Sequence, residues 1–194
     1  FENIALKSIN RVEIRKKLGL QSSDVVFVYS GSIAGWQSFN LLYTFIKPIL
    51  LKSVHFKILF LSPKDKNITK LQNEFASQVI CKKVHPTEVA EYLCSSNFGL
   101  LIREQSATNR VASPVKFAEY LACGLKIIIS KNLGDYSGFT VKNNCGFIFE
   151  NFDYDNFTPP SDIEKGNLRS LALSNFSKKK FIGSYKALTG GFPI

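Results

Sequence analysis

Short apolar runs alternate along this chain with stretches of helical period, and that alternation limits the folds open to it more than any other feature. The runs are DVVFVYSGS (24–32), HFKILFLSP (55–63), QVICKKV (78–84), NFGLLIRE (97–104), LKIIIS (125–130) and CGFIFE (145–150). Their apolar residues stand side by side instead of alternating with polar ones, as strands buried on both faces demand. Between them, Trp36–Lys52 sets Phe39, Leu42, Phe45, Ile46 and Ile49 at helical spacing. Lys64–Phe75 reads as a helix, as does Pro86–Cys94 with Pro at its first position. Residues 105–112 read as a polar loop, and Pro114–Cys123 as a helix stopped by Gly124. A short helix is expected over 134–144. A basic helix over Ile9–Gly19 precedes the first strand, and one or two closing helices follow the Asp-, Asn- and Pro-rich loop at 151–161.

Six strands separated by helices predict a parallel sheet covered on both faces. With right-handed crossovers this is a doubly wound, Rossmann-like α/β sheet. Ligands of such sheets bind beyond the C-terminal ends of the strands. The length of 194 residues, 45% of them hydrophobic, suits a single domain with a continuous core. Within it, 1–20 forms a linker helix, 24–150 the sheet core and 161–190 the closing helices. No apolar run reaches the roughly 18 residues that span a bilayer, and the first twenty residues lack a signal-peptide pattern. The chain begins at Phe1 and contains no Met. It therefore reads as a piece of a longer protein, or as a sequence from which methionines have been omitted.

The net charge of +10 draws the chain toward polyanions, anionic lipid or phosphorylated ligands. Its lysines and arginines are scattered, as in Arg15–Lys16–Lys17, Lys82–Lys83 and Lys178–Lys179–Lys180, so they read as solvated faces. A nucleic-acid-binding module would gather them with aromatics on one face, and nucleic acid is not expected as a partner. Cys81, Cys94, Cys123 and Cys145 form no C-x-x-C pair, which supports neither a zinc site nor a thioredoxin motif. Free buried thiols in a reducing cytoplasm are the expectation.

Several doubly wound families are excluded by the loops. The turn after the first strand, Gly31-Ser32-Ile33-Ala34-Gly35-Trp36, lacks the G-x-G-x-x-G spacing of dinucleotide binders. Neither G-x-x-x-x-G-K-[ST] nor G-x-S-x-G occurs, which removes P-loop ATPases and α/β-hydrolases. No pair of Asp residues ends the first strand, as a receiver domain would require.

Arg103–Ser130, REQSATNRVASPVKFAEYLACGLKIIIS, carries the site chemistry. Ser113 as N-cap and Pro114 as first residue start a helix whose free N–H groups and dipole suit an anion. Lys116 lies in that first turn, the unfavourable end for a cation unless a phosphate sits between; the alternative is an ordinary exposed lysine. Glu119, three residues on, projects from the same side and can accept two hydrogen bonds from the hydroxyls of a ribose. An ion pair with Lys116 is the other reading.

This segment resembles the donor-binding region of GT-B glycosyltransferases of the family 4 type. There a glutamate, an apolar stretch and a glycine lead into a buried strand, here Glu119-Tyr120-Leu121-Ala122-Cys123-Gly124-Leu125-Lys126-Ile127-Ile128. The resemblance implies the C-terminal half of a two-domain enzyme. Such a half binds a UDP- or GDP-linked sugar for transfer to a sugar or lipid-linked acceptor held by an N-terminal domain, without a metal or other cofactor. It assigns the ribose to Glu119 and the diphosphate to Ser113 and Lys116, with Gly31 and Ser32 at the first strand's end. Val84 and His85 fall where this fold contacts the base. The family's second glutamate, eight positions before Glu119, is here Val111, and its cations after the first strand are missing from GSIAGWQ. Arg103 and Arg110 could take the place of those cations. Trp36 reads as packing its helix. The resemblance picks out no catalytic residue and implies a cytoplasmic protein, with the positive charge available for peripheral contact at the inner membrane surface.

Overall fold

The structure, a computed structural model, describes residues 10–31, 39–110 and 115–177. Of the sequence-derived candidates, Ser32, Trp36, Val111 and Ser113 lie outside those residues, as does any closing helix after 177.

Helix α1 (Arg11–Lys17) leads into β1 (Val25–Ser30). The alternation then runs α2 (Phe39–Lys52), β2 (Phe56–Leu61), α3 (Lys66–Glu74), β3 (Val79–Lys82), α4 (Val89–Cys94) and β4 (Phe98–Leu101). It closes with α5 (Ala107–Arg110), α6 (Val115–Ala122), β5 (Lys126–Ile129), α7 (Tyr136–Lys142), β6 (Gly146–Ile148) and α8 (Asp162–Phe176). All strands pair in parallel, in the order β3-β2-β1-β4-β5-β6. This is the doubly wound sheet that the sequence predicts, and its order reverses between β1 and β4.

The pleat sends alternate residues of each strand into two separate cores. Val26 and Val28 of β1 join Phe117, Tyr120, Leu121 and Leu168 on one face, under α4, α6 and α8. Phe27 and Tyr29 join Leu42, Phe45, Ile46 and Ile49 of α2 on the other. That second core is dominated by rings. Phe27 stacks on Phe98 with centroids 4.9 Å apart, and Phe152 and Phe157 seal the cluster from the loop after β6.

Three sequence expectations are corrected. Pro86 is not the first residue of a helix: α4 begins at Val89, because His85–Glu88 close a turn of their own, with Glu88 N–H donating to the His85 carbonyl at 2.9 Å. The stretch read as a loop at 105–112 contains α5, started by Ser106, whose hydroxyl accepts the Asn109 N–H. The final strand stops at Ile148, and Phe149–Asn151 turn into a short 3₁₀ helix that carries Phe152 back into the ring cluster.

Candidate functional site

The reversal of strand order leaves a crevice at the C-terminal ends of β1, β2 and β4. Its larger chamber, about 470 Å³, is walled by Leu61, Val84, Pro86, Val89 and Leu93, with Lys116 and Glu119 on the α6 side. That volume is in the range of small-molecule sites. A smaller chamber of about 200 Å³ reaches from it past Tyr29 and Leu101 to Arg103. Ser30, Gly31 and Lys116 line both chambers and so mark the point where they meet.

Lys116 and Glu119 stand one turn apart on α6, and the Lys116 ammonium donates to Glu119 Oε2 at 2.7 Å. Each side chain keeps between a quarter and a third of its surface exposed, so the pair faces the crevice without being sealed from solvent. Gly31 adopts φ +134°, a backbone conformation open to glycine and strained for any L side chain, and its N–H donates to the Leu61 carbonyl at 3.1 Å. β1 and β2 are thereby tied together where the crevice floor begins.

Arg103 continues from β4 into the smaller chamber, and its backbone N–H donates to Ser130 Oγ at 2.9 Å. Its guanidinium pKa is lowered by desolvation, while the neighbouring phenols of Tyr29 and Tyr120 act in the opposite direction. Burial pushes the Tyr29 hydroxyl up to about 12, so it stays protonated and neutral at physiological pH. Arg110 is exposed at the end of α5 and lines neither chamber. Val84 lies in the wall of the large chamber; His85 is exposed, its ring nitrogen 2.8 Å from Thr87 Oγ1 and its N–H donating to Glu88. Among the described residues no group of His, Cys, Asp or Glu is placed to hold a metal ion.

A residue to which the sequence motifs assign no role ties α6 to the strands that frame the crevice. Tyr120 is fully buried, and its hydroxyl accepts the Ser30 N–H at 3.0 Å, at the last residue of β1. β1 pairs with β4 only at Phe27–Phe98 and Val28–Gly99, against six pairs with β2. The phenol therefore takes up a backbone donor that the ladder leaves over as the strands part. Gly99 makes this possible: a Cβ there would overlap the Tyr120 ring. The neighbour of Glu119 thus fixes α6 against the two strands that frame the crevice.

Solved structures share this architecture. WaaG, a glycosyltransferase involved in lipopolysaccharide biosynthesis, matches with TM-score 0.64 at 17% identity, over 95% of this chain and 52% of WaaG. HepE of Anabaena, in complex with UDP and glucose, matches with TM-score 0.68 at 11% identity, over 98% of this chain and 55% of HepE. The chain has the fold of the C-terminal half of a GT-B glycosyltransferase. An α,α-trehalose-phosphate synthase (UDP-forming) of Burkholderia vietnamiensis gives TM-score 0.66 at 9% identity, over 98% of this chain and 51% of that one. The chain spans about half the length of the structures it matches. No protein-family model and no curated protein matches the sequence. In this fold, the crevice at the β1/β4 reversal, with Lys116 and Glu119 on its rim, is the place where doubly wound sheets put a ligand.

Proposed function

We propose that this chain is the donor-binding half of a metal-independent glycosyltransferase of the family 4 type, holding a nucleoside-diphosphate sugar in the crevice beneath α6. The observation that carries the reading is the placement of one cation, Lys116, at the junction of two chambers and one carboxylate, Glu119, a helical turn on in the larger of them. Lys116 would meet the diphosphate where the chambers join, and Glu119 would accept the ribose hydroxyls. The base would lie against Val84, Pro86 and Val89, and the sugar would extend toward Arg103. Two cations, Lys116 and Arg103, line the smaller chamber and offer the charge that a metal supplies elsewhere. HepE and the trehalose-phosphate synthase are described with UDP, which makes uridine diphosphate the first ligand to try.

Transfer would need an N-terminal domain to present the acceptor, a sugar or lipid-linked one, so this half alone should bind donor and transfer nothing. A cytoplasmic protein lying at the inner membrane surface would suit the net charge of +10. Val111, at the position of the family's sugar-reading glutamate, favours one second reading: a sugar-nucleotide binder or epimerase on the same scaffold. Product analysis of the protein with its N-terminal half separates the two.

Thermal denaturation with UDP, then GDP, tests the binding. A ligand at a hundred times its Kd adds about 2.7 kcal/mol, so one of the two should raise Tm by several degrees. Glu119→Ala should cut the rise to about half or less, and a chain indifferent to every nucleoside diphosphate ends the proposal.

A further inference from the structure

A basic cavity lies on the same face of the sheet as the crevice, at the opposite end of the strands. Arg11, Arg15 and Lys16 of α1 line a hollow of about 460 Å³ with Val12 and Leu20. It sits beside the segments that enter β1 and β4, Asp24 and Ser95, whereas the nucleotide crevice lies at the strands' exits.

The three cations are not equivalent. Arg15 is consumed by the fold: its guanidinium donates to the carbonyls of Ser95 at 3.0 Å, Gln21 at 2.5 Å and Asp24 at 2.7 Å. Lys16 is exposed and enters no ion pair among the described residues, while its neighbour Lys17 is paired with Glu13 at 2.8 Å. Arg11 is the unusual one. Its Nε is buried and has no hydrogen-bond partner among the described residues. Behind it stand Lys165 and Arg169, and the nearby carboxylate Asp162 is bonded to Lys165 at 3.1 Å. Arg11, Arg15, Lys165 and Arg169 thus crowd one region, where Asp162 acts on Arg11 and Lys165, Asp24 on Arg15, and the Cys94 thiol is bonded to Arg169 and near Arg11. Desolvation, reinforced by neighbouring cations, lowers the pKa of Arg11, Arg15 and Lys165 alike. A buried donor without a partner is costly, and an excess of like charge adds to that cost.

We propose that this cavity is a second anion site, in which Arg11 and Lys16 hold a phosphate group borne by a partly apolar ligand against Val12 and Leu20. A phosphate at the cavity can accept a charge-assisted hydrogen bond from the Arg11 guanidinium, and its charge offsets the surrounding cations. Val12, 77% exposed, gives the site an apolar rim that a bare ion does not need and a phosphate ester with a hydrocarbon portion does. The site does not depend on the reading of the crevice. Helix α4 touches both, because Val89 and Leu93 wall the crevice while Ser95, just past its end, accepts from Arg15.

The test uses the full chain, with Lys116→Ala as background so that binding in the crevice is weakened and any that remains is unaffected by changes in α1. Titration calorimetry with inorganic phosphate and flotation with phosphatidylglycerol vesicles, phosphatidylcholine as control, distinguish a free phosphate from a lipid headgroup. Arg11→Gln should weaken whichever ligand binds by about tenfold or more, the loss of one charge-assisted hydrogen bond. Lys16→Ala, at an exposed position that does not endanger folding, should weaken it several-fold. Phosphate binding that survives Lys116→Ala and falls with both substitutions supports the site with a soluble ligand. Flotation on the anionic vesicles alone, lost in the same variants, supports it with a headgroup. Binding of neither, or binding indifferent to Lys16 and Arg11, overturns it.

Discussion

Lys116 and Glu119 neutralise each other across 2.7 Å, so a nucleotide that uses both must come between them. Exposed pairs of this kind are worth about 0.2–1 kcal/mol, which a diphosphate and a ribose together readily exceed. Opposite responses to a single substitution follow. Glu119→Ala deprives the ribose of its acceptor and should weaken nucleoside-diphosphate binding by roughly 10- to 100-fold, from about 1.5–3 kcal/mol for hydrogen bonds to a charged group. The same change releases Lys116 and should leave inorganic pyrophosphate bound as tightly or up to about fivefold tighter. Calorimetry with the two ligands reads both; equal losses for each would place the diphosphate away from Lys116. These two residues were legible in the sequence because their relation is local, three positions apart on one helix. The partner of Tyr120, Ser30, is 90 residues away, and nothing in the spacing of one residue announces a bond to the other.

At the scale of elements, α6 is positioned by a wedge. The Tyr120 ring lies on β4 over Gly99, and its hydroxyl caps the end of β1, so the helix that carries Lys116 and Glu119 is registered to both sides of the crevice. Tyr120→Phe keeps the ring and leaves the Ser30 N–H without its acceptor, at a cost of about 1–3 kcal/mol. Chemical denaturation should show that loss, and hydrogen exchange should show the Ser30 amide losing protection while Ile127–Ile129 in β5 keep theirs. Gly99→Ala drives a methyl group into the ring and should shift α6. Its expected signature is weaker nucleotide binding beyond what the stability loss of about 1–3 kcal/mol explains. The elements themselves were largely readable, since buried strands and helices of 3.6-residue period carry their pattern in the residues. What was misread involves chain reversals. Pro86 satisfies the rule for a first helical residue, yet the His85–Glu88 turn uses the same residues first. The short α5 is too brief for any period to show.

For the molecule as a whole, α8 closes the face of the sheet that contains α6, and it is held at its start by charge. Ser161 and Glu164 form a reciprocal capping box, with Glu164 accepting the Ser161 N–H at 2.8 Å. The same carboxylate takes the Lys126 ammonium of β5 at 2.7 Å. One residue farther on, the stem of Lys165 packs against Gly124, where a Cβ would come within 2.9 Å of it, so helix α6, strand β5 and helix α8 converge at this corner. The Lys126 ammonium, followed by the Ser161 N–H, pulls the Glu164 pKa down to about 2 from the ordinary 4.5. A carboxylate whose pKa is lower in the folded than in the unfolded chain stabilises the fold above the unfolded value and ceases to do so as pH drops through the folded one. Glu164→Gln should therefore cost stability at pH 7, on the order of 1 kcal/mol for the weakened cap and lost pair. Its disadvantage in urea midpoint should begin to narrow near pH 4.5 and be smallest near pH 2. A gap between wild type and variant that stays constant from pH 7 to pH 3 would mean that the box holds α8 through its shape, and that the ionised carboxylate contributes nothing to closing the domain.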